Sequence, residues 1–226
     1  MTIHNPLLLA SASPRRRQIM TTLGLPFTVC VAPADEEAIQ KYYQGPGEGL
    51  ARWTATHKAL MALTLPEATN RLVITADTTV LLDNKELGKP RDESHARELL
   101  LSLRGRWHQV VTGVVVGAVL DGKLQIHGAS CKTSVLMRFY SEEEISAYIA
   151  GGDPLDKAGA YGIQDAQFQP TARIDGCYLN VVGLPLCILV DLLAKFAVSP
   201  ASAGSQYTRC SCSDQGYDIM RPKLNS

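Results

Sequence analysis

The stretch "LLLASASPRRRQ", residues 7–18, decides the fold. Three leucines run into a loop of small residues, and a Ser-Pro pair then opens a segment of polar helix formers, which reads as strand, loop, helix. Ser13 is a good N-cap, and Pro14 suits the first helical position, where its missing N–H leaves no bond unmade. Gly24 closes the helix, and "FTVCVA" resumes as a second strand. A strand that enters a helix through such a loop aims unpaired N–H groups and the positive end of the helix dipole at one point, which makes an anion site. Arginines in the first turn oppose an empty helix dipole. They become favourable when a phosphate is bound, because guanidinium groups clamp phosphate oxygens in pairs. Solvated arginines paired with distant carboxylates are the alternative; three together behind Pro14 favour phosphate.

Outward from that opening, the periodicity keeps changing character. "EGLARWTATHKALMAL" reads as a helix, "RLVITA" and "TVLLD" as paired strands turning at Asn84 and Lys85, and Ser94 to Leu103 as a further helix. "HQVVTGVVVGAVL" and "KLQIHGASCKTSVLMRF" form a long β pair joined at "DG". "SEEEISAYIA" carries a capping box in Ser141 and Glu144, and the apolar "GLPLCILVDLLAKF" is a buried closing helix. This alternation predicts an α/β domain with a mixed sheet. A single domain is expected over residues 1–196. From Ala197 the composition turns to Ser, Gly and polar residues without apolar period, so residues 197–226 are expected to be a flexible tail.

The 226 residues carry 22 Lys+Arg and 22 Asp+Glu, so no overall field draws the chain to nucleic acid or to an anionic membrane. Any anion must be met by a local cluster. No apolar run reaches the roughly 18 residues of a membrane span, and no signal peptide is visible; the expected location is cytoplasmic. Of six cysteines, four fall in apolar stretches and Cys210 and Cys212 in the tail, without the spacing of a zinc site, so buried thiols are expected rather than disulfides.

A second informative stretch is "VITADTTVLLDNKELGKPRD". Asp77 closes an apolar strand, at the kind of strand end where α/β sheets place ligands. Twelve residues on, "GKP" offers Lys89. A carboxylate and a lysine near arginines suit phosphoanhydride hydrolysis, the acid taking a proton from water or holding a metal while the cations offset phosphoryl charge. A turn aspartate capping the hairpin fits the spacing equally well.

The motifs "LASASPRRRQIM", "THKA", "ADTTV", "LGKPRD", "HQVVTGV", "DPLDKAGAYGIQ" and "VVGLPL" occur in the order and spacing of the Maf family of nucleotide pyrophosphatases, which the chain resembles over about residues 6–196. The resemblance implies a mixed sheet in two lobes around a central cleft, similar to the inosine triphosphate pyrophosphatases, and a homodimer. It implies hydrolysis of a nucleoside triphosphate to the monophosphate and pyrophosphate with a divalent metal cation, Mg or Mn. Asp77 corresponds to the proton acceptor, Arg15 and Arg16 with Ser13 to the phosphate clamp, Lys58 and Lys89 to cations along the triphosphate, and Glu36 to a metal or water ligand. Thr78 and Gln164 resemble the pair of the branch acting on dTTP and UTP, and a glutamine amide can both donate to and accept from a uracil edge. Modified pyrimidine nucleotides would fit as well, which implies a house-cleaning role. The alternatives are the 7-methyl-GTP branch and a nucleotide-binding regulator of septum formation.

The chain departs from the pattern where Asp165 replaces a glycine after "IQ", and where Arg104 and Arg106 flank Gly105 before His108. The two arginines are expected to be solvated, and His108 to begin a strand and bond locally. Asp156 and Lys157 either meet the nucleotide or pair with each other.

Overall fold

A computed structural model describes residues 7–200. The opening stretch folds as the strand β1 (Leu7–Ala10), buried throughout, the helix α1 (Pro14–Thr21), and the strand β2 (Phe27–Cys30), parallel to β1. The Ser13 side chain accepts from the Arg16 N–H, with Pro14 at the first helical position. Two helices follow, α2 (Glu36–Lys41), capped by Asp35, and the long α3 (Gly47–Ala62). The central strand is β3 (Leu72–Leu82), with the short β4 (Lys85–Leu87) folded back on it.

"RLVITA" and "TVLLD" are therefore not partners across a turn but one strand of 11 residues. The turn lies one residue earlier than the sequence implies, at Asp83 and Asn84, both at positive φ (51° and 63°) as a two-residue hairpin turn requires. Asp77 accordingly sits in mid-strand and not at a strand end.

Beyond α4 (Glu93–Leu103), capped by Asp92, the long hairpin of β5 (Trp107–Leu120) and β6 (Lys123–Met137) turns at Asp121 and Gly122. The helix α5 (Glu142–Ala150) has the full reciprocal box between Ser141 and Glu144. The chain ends its described course with β7 (Thr171–Asp175), the short α6 (Tyr178–Val182) and the apolar α7 (Leu186–Ala194). Among the described residues seven strands make one mixed sheet in the order β2-β1-β3-β5-β6-β7, with β4 on β3. Pairing is parallel from β2 to β3 and antiparallel from β3 to β7.

One face of this sheet carries two separate hydrophobic clusters. The first gathers Ile74, Ala76, Val114, Val116 and Cys131 under α1 and α7; the second gathers Val80, Leu82, Val110, Val135 and Met137 under α4 and α5. Strand alternation places Thr78, Thr112 and Thr133 on that same face between the two clusters, as a polar waist across β3, β5 and β6. The opposite face is covered by α3, whose small residues Ala51, Ala55, Ala59 and Ala62 pack on the sheet.

Cys131 and Cys177 are buried and Cys30 and Cys187 half-buried, and none of the four is joined in a disulfide. Part of the segment assigned to the tail is packed, since Val198 donates to the Leu193 carbonyl and lies against the first cluster. Cys210, Cys212 and the rest of that segment lie outside the described residues. Among the described residues no helix is long and apolar enough to cross a membrane.

Candidate active site

The edge of β3 explains where a site opens. On the side away from β5, β1 pairs with β3 only as far as Ile74, and β4 pairs only from Val80 onward. Among the described residues, no strand covers Thr75–Thr79 on that side, and Asp77 lies at its middle. The loop from β1 to α1 enters there, so a sheet interior becomes accessible without a strand ending, in the manner of a topological switch point.

A cleft of about 1130 Å³ occupies this break. It brings together Ser13, Arg15, Arg16, Glu36, Lys58, Asp77, Thr78, Lys89 and Gln164, residues drawn from six segments of the chain. Arg17, the third arginine of the opening cluster, is exposed and is not among the lining residues. Glu86 and Asp153 also line the cleft, and no local pattern in the sequence distinguished them.

Asp77 and Lys58 are each only 7% exposed and reach the cleft from β3 and from α3, which packs on it. Their approach is fixed by two contacts between the sheet and α3. The Thr75 hydroxyl donates to the Ala55 carbonyl at 2.7 Å. Gly113, beside Asp77 in register, lets the helix backbone in, since a Cβ there would meet the Arg52 backbone at 2.4 Å. The Lys58 ammonium stands 2.5 Å from Glu36 Oε1 and 3.5 Å from Asp77 Oδ1, so it serves Glu36 first. Partial burial raises the Glu36 pKa, but Lys58, Lys89 and Arg16 outweigh it and hold the carboxyl below its usual range. At Asp77 the balance is reversed: burial raises its pKa by more than Lys58 and Arg16 lower it, and the Glu36 charge adds to the rise. Two neighbouring carboxylates are thereby set apart, one a stable anion and the other a stronger base.

The phosphate-binding expectation falls on the β1–α1 corner. Arg16 donates through Nε to the Gly183 carbonyl at 2.8 Å and through Nη2 to Thr78 Oγ1 at 3.2 Å. Gly183 stands at φ 116°, outside the range of residues with a Cβ, as it closes α6. Burial draws the Arg16 pKa down while Asp77 and Glu36 support its charge.

The far wall is built from loops. Gly159 donates to the Gly88 carbonyl at 3.0 Å, which ties the "GKP" loop of Lys89 to "KAGAYG". Lys157 bonds Asp156 at 2.7 Å and Asp153 at 2.9 Å, so these charges pair with each other. The Tyr148 hydroxyl donates to Asp153 Oδ2 at 3.0 Å and accepts from the Gly162 N–H at 2.9 Å, joining both loops of that wall. Gln164 is exposed to the cleft. Asp165 does not use left-handed backbone; its Oδ1 accepts from the N–H groups of Gln167 and Phe168 and organises the turn instead. Arg104 and Arg106 turn away, to Glu142 and Asp83. His108 lies in β5, buried, with Nε2 at 2.7 Å from the Tyr161 hydroxyl, a partner 53 residues away and not a local one. Trp53 and Trp107 are exposed and do not line the cleft.

Among the described residues no group of three or more His, Cys, Asp or Glu is arranged to hold a metal ion by itself. The donor set does suit a hard cation carried in with a triphosphate, which is bound through one or two carboxylates plus phosphate oxygens. Glu36 and Asp77 supply such oxygens, already converging on one cation, the Lys58 ammonium.

Comparison with known proteins agrees with this geometry. The family model described as Maf-like protein matches residues 6–196. A dTTP/UTP pyrophosphatase of Dehalococcoides mccartyi strain CBDB1 is 40% identical over 198 residues, 87% of this chain and 85% of that protein. The dTTP/UTP pyrophosphatases of Thermomicrobium roseum and Moorella thermoacetica are 44% and 43% identical, each over 85% of this chain and over 86% and 95% of their own lengths. With the matched region spanning every described strand and helix, the chain belongs to the Maf-like protein family.

Proposed function

We propose that the protein is a nucleoside triphosphate pyrophosphatase acting on dTTP and UTP, yielding the monophosphate and pyrophosphate. The observation that carries the reading is the pairing of a buried, strengthened base, Asp77, with four cationic side chains, Arg15, Arg16, Lys58 and Lys89, around one cleft. Relatives of that activity at 38–44% identity support the substrate class.

In this reading the triphosphate enters along the β1–α1 corner, with Arg15, Arg16, Ser13 and the loop amides on its oxygens and Lys89 on the opposite side. Asp77 takes a proton from a water that attacks the α-phosphorus; a new P–O bond forms, the bond from the α-phosphorus to the bridging oxygen breaks, and pyrophosphate leaves with its charge met by the cations. Glu36, held as an anion by Lys58, keeps that lysine in place and is the residue we assign to a divalent cation, Mg or Mn. When bound, that cation would supply charge neutralisation on the phosphates. Gln164 faces the base, where its amide pairs with the O and N–H edge of uracil or thymine. Cysteines Cys30, Cys131 and Cys177 outside any disulfide and a substrate drawn from the nucleotide pool favour the cytoplasm, and a homodimer remains part of the proposal.

The test is pyrophosphate release from dTTP, UTP, CTP, 5-methyl-UTP, GTP and 7-methyl-GTP with magnesium or manganese, run beside Asp77→Asn and repeated in ¹⁸O water. Turnover confined to dTTP, UTP and 5-methyl-UTP, with label in the monophosphate and loss in the variant, is expected. Release from 7-methyl-GTP alone, or tight binding without turnover, would overturn it.

A further inference from the structure

The polar waist between the two clusters is wired to the phosphate side of the cleft, and its bonds run in one direction. Thr112 Oγ1 lies 2.8 Å from the Asn180 main-chain carbonyl, which can only accept, so the single Thr112 hydroxyl proton is used there. The 2.9 Å contact between the Thr78 and Thr112 hydroxyls then has Thr78 as its donor. Thr78 is left with lone pairs only, and one of them accepts from Arg16 Nη2. The order is Arg16 to Thr78 to Thr112 to Asn180, each group donating to the next.

Asn180 anchors this chain from a position where it has no freedom. It is fully buried, its Oδ1 accepts from the Thr112 N–H at 3.0 Å, and its Nδ2 donates to the Val110 carbonyl and to Thr133 Oγ1, both at 2.9 Å. The same short helix supplies the Gly183 carbonyl that holds Arg16 Nε. Both nitrogens by which Arg16 is held thus trace back to α6, and the side of the guanidinium left for a ligand is determined from inside the sheet.

We propose that Thr112, backed by Asn180, is a positioning residue for phosphate recognition: by taking the Thr78 proton it makes Thr78 an obligate acceptor, which fixes the Arg16 guanidinium toward the anion. This rests on the assignment of Arg16 to the phosphates made above. Thr78 then acts through Arg16 and has no hydroxyl proton to offer a base.

The experiment is a double-mutant cycle between Thr112→Val and Arg16→Ala, read both as kcat/KM for UTP and as affinity for inorganic pyrophosphate by calorimetry. Thr112→Val is expected to lower both roughly tenfold, the scale of one lost hydrogen bond to a charged group. Thr112→Ser restores them, and in the Arg16→Ala background Thr112→Val changes neither by more than about twofold. A residue needed only for packing would cost the same in both backgrounds, and that result would overturn the proposal, as would an unimpaired Thr112→Val protein. Should the valine variant not fold, Thr112→Ala takes its place in the cycle. A wild-type protein that binds pyrophosphate yet cleaves neither UTP nor dTTP would count against the proposed function while the pyrophosphate arm still decides this one. Absence of pyrophosphate binding by wild type would overturn it.

Discussion

The Thr75 hydroxyl donates to the Ala55 carbonyl at 2.7 Å, and this bond joins the strand of Asp77 to the helix of Lys58, two residues before the first and three before the second. The spacing of the proposed base and its lysine is therefore set partly by a buried contact whose two residues do not line the cleft.

Thr75→Val removes that latch within a buried interface. A loss of about 1–2 kcal/mol is expected, with a melting temperature lower by about 2–4 °C per kcal/mol, and kcat/KM for UTP should fall several-fold as α3 loosens against β3. Thermal denaturation and steady-state kinetics on the same preparation check both.

Asp77→Asn is expected to lower kcat by roughly 10²–10⁴ and to raise the melting temperature. A carboxyl whose folded pKa is raised contributes stability when protonated and loses it as pH rises through the folded pKa. The gain from asparagine should therefore be absent below the ordinary carboxyl pKa of 3.8 and grow toward neutral pH. In wild type the acid limb of kcat/KM should lie above 3.8 for the same reason. Melting curves and rate profiles across pH 3–8 test the three statements together.

His108 should make the fold sensitive to mild acid. Burial lowers its pKa to about 4 from an ordinary 6.5, so between these values the unfolded chain takes up a proton that the folded chain refuses. Stability is lost as pH falls through that window, by up to about 3 kcal/mol from this group. In His108→Gln, urea denaturation should show a flatter stability profile over the same range.

Tyr148→Phe leaves the Gly162 N–H without its acceptor and frees Asp153 from one of its donors. The loop of Gln164 is held from this point, so KM for UTP should rise about three- to tenfold with little change in kcat, and stability should fall by about 1–3 kcal/mol. Initial rates over a UTP series separate the two parameters.

What the sequence revealed was local. Ser13 and Pro14, the Asp121-Gly122 hairpin, and the Ser141–Glu144 box each encode their geometry within four residues, and each stands as read. The strand of Asp77 was misjudged because Asp77, Thr78 and Thr79 break an apolar run that the sheet nevertheless continues through. Asp77 meets Lys58 from α3 and the half-buried Thr78 meets Thr112 from β5, while the hydroxyl of the buried Thr79 is left without a hydrogen-bond partner among the described residues. The short α2, β7 and α6 give too few residues for a period to show. Asn180 meets Thr112 across 68 residues, a relationship only the assembled sheet creates.

The uncovered edge at Thr75–Thr79 has a consequence for solubility. Five consecutive strand residues without a neighbour form the kind of template onto which another chain can add itself, and proteins that must keep such an edge blunt it with charge. Here the stretch is covered instead: Thr75, Ala76 and Thr79 are almost fully buried, and Asp77 and Lys58 beside it are each only 7% exposed, so an incoming strand has little open edge to reach. The burial that strengthens Asp77 as a base therefore also keeps this stretch of sheet edge away from other chains.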